Sequence, residues 1–164
     1  MGLFSFLKNA GANSLKGKAS QPAAPATRDL AAEIAEKNKR IQTLRKLVES
    51  YGFPVKDLMI ELNDDAVTVE GKVESQEQRE KIILVLGNVE GVASVDDRME
   101  VIASAPAPAS VFYEVKKGDS LSKIAKAHYG DAMKYPVIFE ANKPMLKDPD
   151  LIYPGQVLRI PPLA

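Results

Sequence analysis

The chain has 164 residues, with 22 basic and 22 acidic side chains and no cysteine. This length is enough for two small domains but not for a large enzyme, and the balanced charge argues against nucleic acid as a partner, since phosphate-binding surfaces carry a basic excess. Without cysteine, disulfide scaffolds and thiol chemistry are excluded.

Residues 1–13 are expected to form a short helical element with a glycine, Gly11, near its end. No positive charge precedes its apolar residues and Lys8 interrupts them, so the segment does not meet the criteria of a signal peptide and we expect it to be retained. Stable membrane insertion is not expected, because no apolar run in the chain is long enough to cross a bilayer. The start could instead lie on a membrane surface, but docking onto the next domain is the simpler use of its aromatic residues.

A linker and the lead-in to a helix are predicted for residues 14–38. Residues 14–27 consist largely of Ala, Pro, Ser and Lys, which bury little surface, so we expect them to be the least ordered internal segment. From residue 39 onward, apolar residues at helical spacing predict a helix that stops at Gly52. These apolar residues are Ile41, Leu44, Leu47, Val48 and Tyr51.

A β-hairpin is predicted next. Residues 58–62 and 66–70 alternate apolar and polar side chains on either side of Asn63-Asp64-Asp65. The acidic residues of this turn do not have the spacing or the terminal Glu of an EF-hand, so a hairpin turn is favoured over a calcium loop.

A capped helix and a further strand complete the middle domain. Ser75 followed by Gln78 forms a capping box for a helix that runs to about Leu86, with Gly87 as its stop. Residues 92–101 then read as a strand. The order of elements in residues 39–103 is therefore αββαβ.

This middle region resembles a BON domain in two stretches, Ala66-Val-Thr-Val-Glu-Gly-Lys-Val73 and Val89-Glu-Gly-Val-Ala-Ser-Val-Asp-Asp97. The resemblance implies a non-enzymatic domain, and many BON domains are thought to act at phospholipid membranes. Residues 51–103 contain five basic and twelve acidic side chains, a balance that attracts cations and repels anionic lipid. The simpler interpretation of the same charge is a solubilising acidic surface.

A second linker at residues 104–110 leads into a βααβ module at residues 111–162. Its elements are a strand at residues 111–115, a helix that begins after Ser120 and ends at Gly130, a second helix at residues 132–142 and a closing strand at residues 157–160.

This module resembles a LysM domain, most clearly in Phe112-Tyr-Glu-Val-Lys-Lys-Gly-Asp-Ser-Leu-Ser-Lys-Ile-Ala125 and Ile152-Tyr-Pro-Gly-Gln-Val-Leu-Arg-Ile-Pro161. LysM domains bind N-acetylglucosamine polymers, such as peptidoglycan or chitin, in a groove between the loop after the first strand and the loop before the last. The resemblance therefore implies a candidate glycan groove at Gly118, Asp119, Ser120, Leu121, Ile152 and Tyr153.

A BON domain followed by a LysM domain, preceded by Met1-Gly-Leu-Phe-Ser-Phe-Leu-Lys-Asn-Ala-Gly11, resembles the bacterial potassium-binding protein Kbp family over nearly the full chain. The match includes Phe139-Glu-Ala-Asn-Lys-Pro-Met-Leu-Lys147. The region from Ser14 to about Lys39 departs from it, because this region is longer and richer in Ala and Pro than is expected for the family. The resemblance implies a monomeric, non-enzymatic, cytoplasmic protein that binds K⁺ and compacts on binding.

A potassium site can be built from backbone carbonyls, which replace the water shell of this large cation. The last carbonyls of a helix lack intrahelical partners and lie at the negative end of its dipole. Two predicted helix ends have this character, and we expect them to meet around one ion through the carbonyls of Leu7, Ala10, Ala12, Gly87, Val89 and Val92. Without the family resemblance, two ordinary glycine caps would be the simpler interpretation.

Two alternative functions remain open at this point. One is a peptidoglycan-binding envelope protein that uses the LysM groove. The other is a phospholipid-associated BON protein.

Overall fold

A computed structural model of the chain describes residues 2–6, 13–14, 30–103 and 107–163, with residues 13 and 14 described by their backbone. The mixture of helices and strands confirms the predicted α+β class. The strands are β1 (Gly2–Ser5), β2 (Asn13–Ser14), β3 (Lys56–Asn63), β4 (Ala66–Val73), β5 (Val89–Glu90), β6 (Ser94–Val101), β7 (Val111–Glu114) and β8 (Val157–Ile160). The helices are α1 (Leu30–Ser50), α2 (Gln76–Gly87), α3 (Leu121–Tyr129), a 3₁₀ turn (Ala132–Lys134) and α4 (Tyr135–Ala141).

The middle domain is built on a four-stranded sheet in the order β1-β6-β4-β3. β3 and β4 form the predicted hairpin, in which Asn63 lies opposite Ala66. β4 and β6 run parallel, because α2 carries the chain back between them. α1 and α2 pack against this sheet and bury, among others, Leu44, Val48 and Ile83.

The start of the chain forms a strand where a helix was predicted. Residues 2–5 pair antiparallel with β6, and Leu3 lies opposite Asp96. The side chains alternate, since Leu3 and Ser5 are exposed whereas Phe4 is half-buried and Phe6 is buried. The period of two fits a strand added to a sheet edge, where unpaired backbone groups are available, so the helical prediction is wrong for these residues. Residues 7–12, which include the predicted helix end, lie outside the described residues.

Helix α1 begins earlier than predicted, at Leu30 instead of near residue 39. Its second half is anchored by the buried side chains of Leu44 and Val48, while Leu30 and Ile34 in its first turns are exposed. Residues 15–29, which hold most of the segment predicted to be least ordered, lie outside the described part of the chain.

Gly87 is the last residue of α2 and does not serve as the predicted left-handed stop. The C-cap that follows is Asn88, whose backbone angles (φ −82°, ψ 3°) any residue can adopt. Glycine is needed at position 87 for a different reason: the ring of Phe6 occupies the space that a Cβ atom would fill. In the loop that follows α2, the glycine with a positive φ is Gly91, at 97°.

The LysM-like module pairs β7 with β8 in an antiparallel two-stranded sheet, against which α3 and α4 pack. Ser120 caps α3 as predicted, and Gly130 ends it in the left-handed conformation with a φ of 75°. The second predicted helix is divided between the 3₁₀ turn and α4, with Pro136 in the first turn of α4. Leu121, Ile124, Ile138 and Leu158 form the centre of its core.

The two modules pack against each other along α2. Phe112, Met145 and Val157 of the second module join the apolar core of the first. From Ile82 to Gly87, every residue of α2 is buried, because the sheet covers one side of the helix and the second module approaches another. Among the described residues, no helix has the length and hydropathy needed to span a membrane.

Candidate functional site

Two parts of the N-terminal segment lie against the loop that follows α2. The N–H of Phe6 donates to the carbonyl of Ala93 at 2.7 Å, and the ring of Phe6 packs on Gly87. Further along the chain, β2 pairs in parallel with β5, which places Asn13 beside Val89. The described residues on both sides of residues 7–12 are therefore anchored on the same loop, residues 87–93.

This loop has a well-defined backbone. Asn88 N–H donates to the Leu84 carbonyl at 2.9 Å, and Val92 N–H donates to the Val89 carbonyl at 3.1 Å. Gly91 allows the turn between them through its positive φ.

The structure places three of the predicted potassium ligands close together in sequence and space. Gly87 ends α2, Val89 lies in β5, and Val92 precedes β6. The side chains of Val89 and Val92 are buried in the apolar core, so the loop lies against a medium of low polarity. The other three predicted ligands, Leu7, Ala10 and Ala12, lie outside the described residues.

The electrostatics of the loop favour a cation. The C-terminal end of a helix carries a partial negative charge, and the last turn of α2 holds no basic side chain to neutralise it. Among the described residues, no cluster of three or more His, Asp or Glu side chains could hold a metal ion.

The carboxylates of β6 already have structural partners. Asp97 is 1% exposed and accepts from Arg79 Nε at 2.6 Å and from Met99 N–H at 2.9 Å. Asp96 pairs with Arg98 at 3.0 Å. Both side chains support the sheet.

The candidate glycan loops are also built by internal contacts. Asp119 accepts from Lys116 N–H at 2.9 Å and from the Tyr113 hydroxyl at 2.7 Å, and these two hydrogen bonds hold the pKa of the Asp119 carboxyl below its ordinary value. Ser120 caps α3, and the side chain of Leu121 is buried. Gly118 is exposed, and Ile152 and Tyr153 are half-buried.

An ion pair between α2 and β8 links the two modules. Glu80 is 4% exposed and pairs with Arg159, and its other oxygen accepts from Ser110 N–H at 2.9 Å. Burial raises the pKa of Glu80, but the hydrogen bonds from Arg159, Gln76 and Ser110 outweigh burial and bring the pKa below its ordinary value. No sequence signal connects Glu80 and Arg159, which are 79 residues apart.

The expected docking of the N-terminal aromatic residues onto the middle domain is confirmed, since Phe4 and Phe6 pack against its core and the Phe6 ring contacts Gly87. The sequence analysis missed that they do so from a strand, although the alternation of Phe4 and Phe6 is a period-two signal. Asn88 contacts the second module through its side chain, and nothing in its sequence context indicates that role.

The family model for the BON domain matches residues 38–103, and the model for the LysM domain matches residues 113–161. The chain is 44% identical to the potassium binding protein Kbp of Escherichia coli O6:H1 (strain CFT073), over 98% of this chain and 99% of that relative. It is also 39% identical to an uncharacterized protein of Deinococcus radiodurans, over 59% of this chain and 41% of that protein.

Proposed function

The chain belongs to the Kbp family, with a BON domain followed by a LysM domain, and from this membership we propose that it binds K⁺. The observation that supports this proposal most strongly is the convergence of Phe6, Asn13 and the loop at residues 87–93 at the C-terminal end of α2. Two chain segments meet there, at the negative end of a helix without a basic residue in its last turn.

We propose that the ion is held by backbone carbonyls. Gly87, Val89 and Val92 supply the oxygens of the loop, and Leu7, Ala10 and Ala12 supply those of the N-terminal segment. A cage of carbonyls set around a large, weakly hydrated cation fits Na⁺ poorly, either in size or in field strength, so K⁺ and Rb⁺ should bind better than Na⁺ and Li⁺.

The proposal includes compaction and a role as a cytoplasmic K⁺ sensor or buffer without catalytic activity. An ion bound between residues 7–12 and the loop at residues 87–93 stabilises the arrangement in which both are in place. Phe4 lies 5.0 Å from Phe112 of the LysM domain between ring centroids, so the N-terminal strand contacts both domains. Ordering this strand therefore favours the arrangement in which the BON and LysM domains are docked against each other.

Thermal unfolding in KCl, RbCl, NaCl and LiCl at equal ionic strength tests the proposal. At a concentration one hundred times the dissociation constant, K⁺ should stabilise the protein by about 2.7 kcal/mol, because it binds only the folded state. Equal melting temperatures in KCl and NaCl would contradict K⁺ binding. Small-angle scattering in the same salts tests compaction, and fractionation of cells tests the cytoplasmic location.

Glycan binding by the LysM domain is a second candidate function. It is supported by the match to the LysM model and by the exposure of Gly118 and the half-exposed Tyr153 in the two groove loops. Pull-down on insoluble peptidoglycan and on chitin tests it, and Tyr153→Ala should weaken retention if the ring stacks on a sugar. Equal retention of the protein on cellulose would count against a specific groove.

A further inference from the structure

The side chain of Asn88 binds the edge of β8 in the LysM domain. Its Nδ2 donates to the Val157 carbonyl at 2.8 Å, and its Oδ1 accepts from Val157 N–H at 2.8 Å. Both backbone groups of one strand residue are therefore paired by one amide from the BON domain. The amide takes the place of a residue in a neighbouring strand.

A second asparagine makes the same contact two residues further along β8. Asn142 accepts from Arg159 N–H at 2.7 Å and donates to the Arg159 carbonyl at 2.8 Å. Asn142 belongs to the LysM domain, whereas Asn88 belongs to the BON domain. The edge of β8 opposite β7 is thus completed by two amides, and one of them is supplied by the other domain.

Asn88 also lies between two of the proposed potassium ligands. It is the C-cap of α2, and its backbone joins Gly87 to Val89. Its φ and ψ therefore determine both where the neighbouring carbonyls point and where its amide is presented to Val157. A change in φ or ψ at Asn88 moves the neighbouring carbonyls and shifts the Cβ atom from which the amide reaches Val157.

We propose that Asn88 is a positioning residue that couples potassium binding in the loop to docking of the LysM domain. This inference rests on the proposed function and identifies the residue that transmits K⁺ binding to the LysM domain. An occupied loop presents the amide in the orientation that pairs with Val157, and an empty loop presents it less often. By linkage, docking of the LysM domain strengthens K⁺ binding by the same factor.

The ion pair between Glu80 and Arg159 does not carry this coupling. Glu80 lies two turns before Asn88 on the same helix, within the regular part of α2. It favours docking whether or not the loop is occupied. Coupling requires a contact that depends on the loop itself, and Asn88 is such a contact.

The test uses fluorescence energy transfer between dyes on the two domains of the full chain. The protein has no cysteine, so Met59→Cys in the BON domain and Met133→Cys in the LysM domain give two defined labels on side chains that are 54% and 76% exposed. Transfer is measured in KCl and NaCl for the labelled parent, for Asn88→Ala and for Asn63→Ala. Asn63 is an exposed asparagine at the β3–β4 turn and serves as the matched control.

The labelled parent and Asn63→Ala should show a K⁺-dependent rise in transfer that Asn88→Ala largely loses. Calorimetry should show that Asn88→Ala still binds K⁺, with affinity reduced about tenfold, since two neutral hydrogen bonds support the coupling. Asn88→Gln, which keeps the amide but displaces it by one methylene, should behave in the same way and replaces Asn88→Ala if that variant does not fold.

An unchanged K⁺-dependent rise in Asn88→Ala, or in Asn88→Gln if the Ala variant does not fold, would overturn the coupling while leaving the proposed function in place. Complete loss of K⁺ binding in either variant would overturn it as well, because Asn88 would then act at the ion itself. Absence of any K⁺-specific heat in the parent would reject the proposed function, and the coupling with it.

Discussion

Substitution of Gly87 by alanine tests the packing that holds the N-terminal strand beside the proposed potassium loop. A methyl carbon at this position would lie 2.0–2.3 Å from three carbons of the Phe6 ring, far within van der Waals contact. The nearest atoms belong to a ring that is only 9% exposed, so the ring must leave its position. Because Phe6 directly precedes residues 7–12, its displacement also moves the start of that segment.

The magnitude follows from two opposing effects. Alanine in a helix is more stable than glycine by about 0.5–1 kcal/mol, and Gly87 has no positive φ that would reverse this preference. Exposing a buried phenylalanine costs about 1.5–3 kcal/mol. We therefore expect Gly87→Ala to destabilise the protein by about 1–2 kcal/mol and to abolish most of its additional stability in K⁺.

Urea unfolding of the variant in KCl and NaCl at equal ionic strength measures both effects. Gly52→Ala is a suitable control, because its φ of 75° makes alanine unfavourable although no atom lies within 4 Å of the added Cβ. It should lose stability equally in both salts. In a Phe6→Ala background, Gly87→Ala should instead become stabilising, since the obstacle is gone. A stabilising effect of Gly87→Ala in the parent would refute the packing argument.

Three other predictions concern the acids and the N-terminal strand. Asp96→Asn should leave the additional stability in K⁺ unchanged, since this carboxylate pairs with Arg98 on the sheet. If the variant melted at the same temperature in KCl and NaCl, the ion would be bound by a carboxylate. Removal of residues 1–12 should abolish K⁺-specific stabilisation and also lower stability in NaCl by about 2–4 kcal/mol, because the buried Phe6 is lost; calorimetry and urea unfolding measure the two effects. Because the pKa of Glu80 is lowered in the folded protein, its contribution is present above the unfolded pKa and is lost as pH falls through the folded pKa. Glu80→Gln should therefore reduce the loss of stability on acidification, as measured by urea unfolding across the acidic range, and an unchanged pH profile would contradict the role of the Glu80–Arg159 pair.

Local sequence signals predicted most of the regular elements. The Ser75 and Ser120 caps, the β3–β4 hairpin and the Gly130 stop depend on residues within a few positions of one another, so their patterns are readable along the chain. The BON and LysM resemblances, which depend on longer motifs, are confirmed by the family matches.

The errors occur where tertiary contacts decide the structure. Residues 2–5 form a strand because the edge of β6 is available. The alternation of Phe4 and Phe6 is the local signal for this strand, but it is too short to decide between strand and helix without the neighbouring sheet edge. Gly87 was interpreted from its position near a helix end, whereas its actual constraint is a ring from a segment 81 positions earlier in the chain. The same holds for the amide of Asn88, whose partner Val157 is 69 residues away.

A crystal structure of the protein grown in RbCl, with anomalous diffraction recorded at the rubidium edge, tests the central claim most directly. Rb⁺ is chemically similar to K⁺, and its anomalous scattering identifies it directly, so the ion is not confused with a water molecule. The account predicts an anomalous peak in contact with the backbone carbonyls of Gly87, Val89 and Val92 and with those of residues 7–12. A peak bound instead by carboxylates of the acidic sheet surface, or no peak at the end of α2, would contradict it.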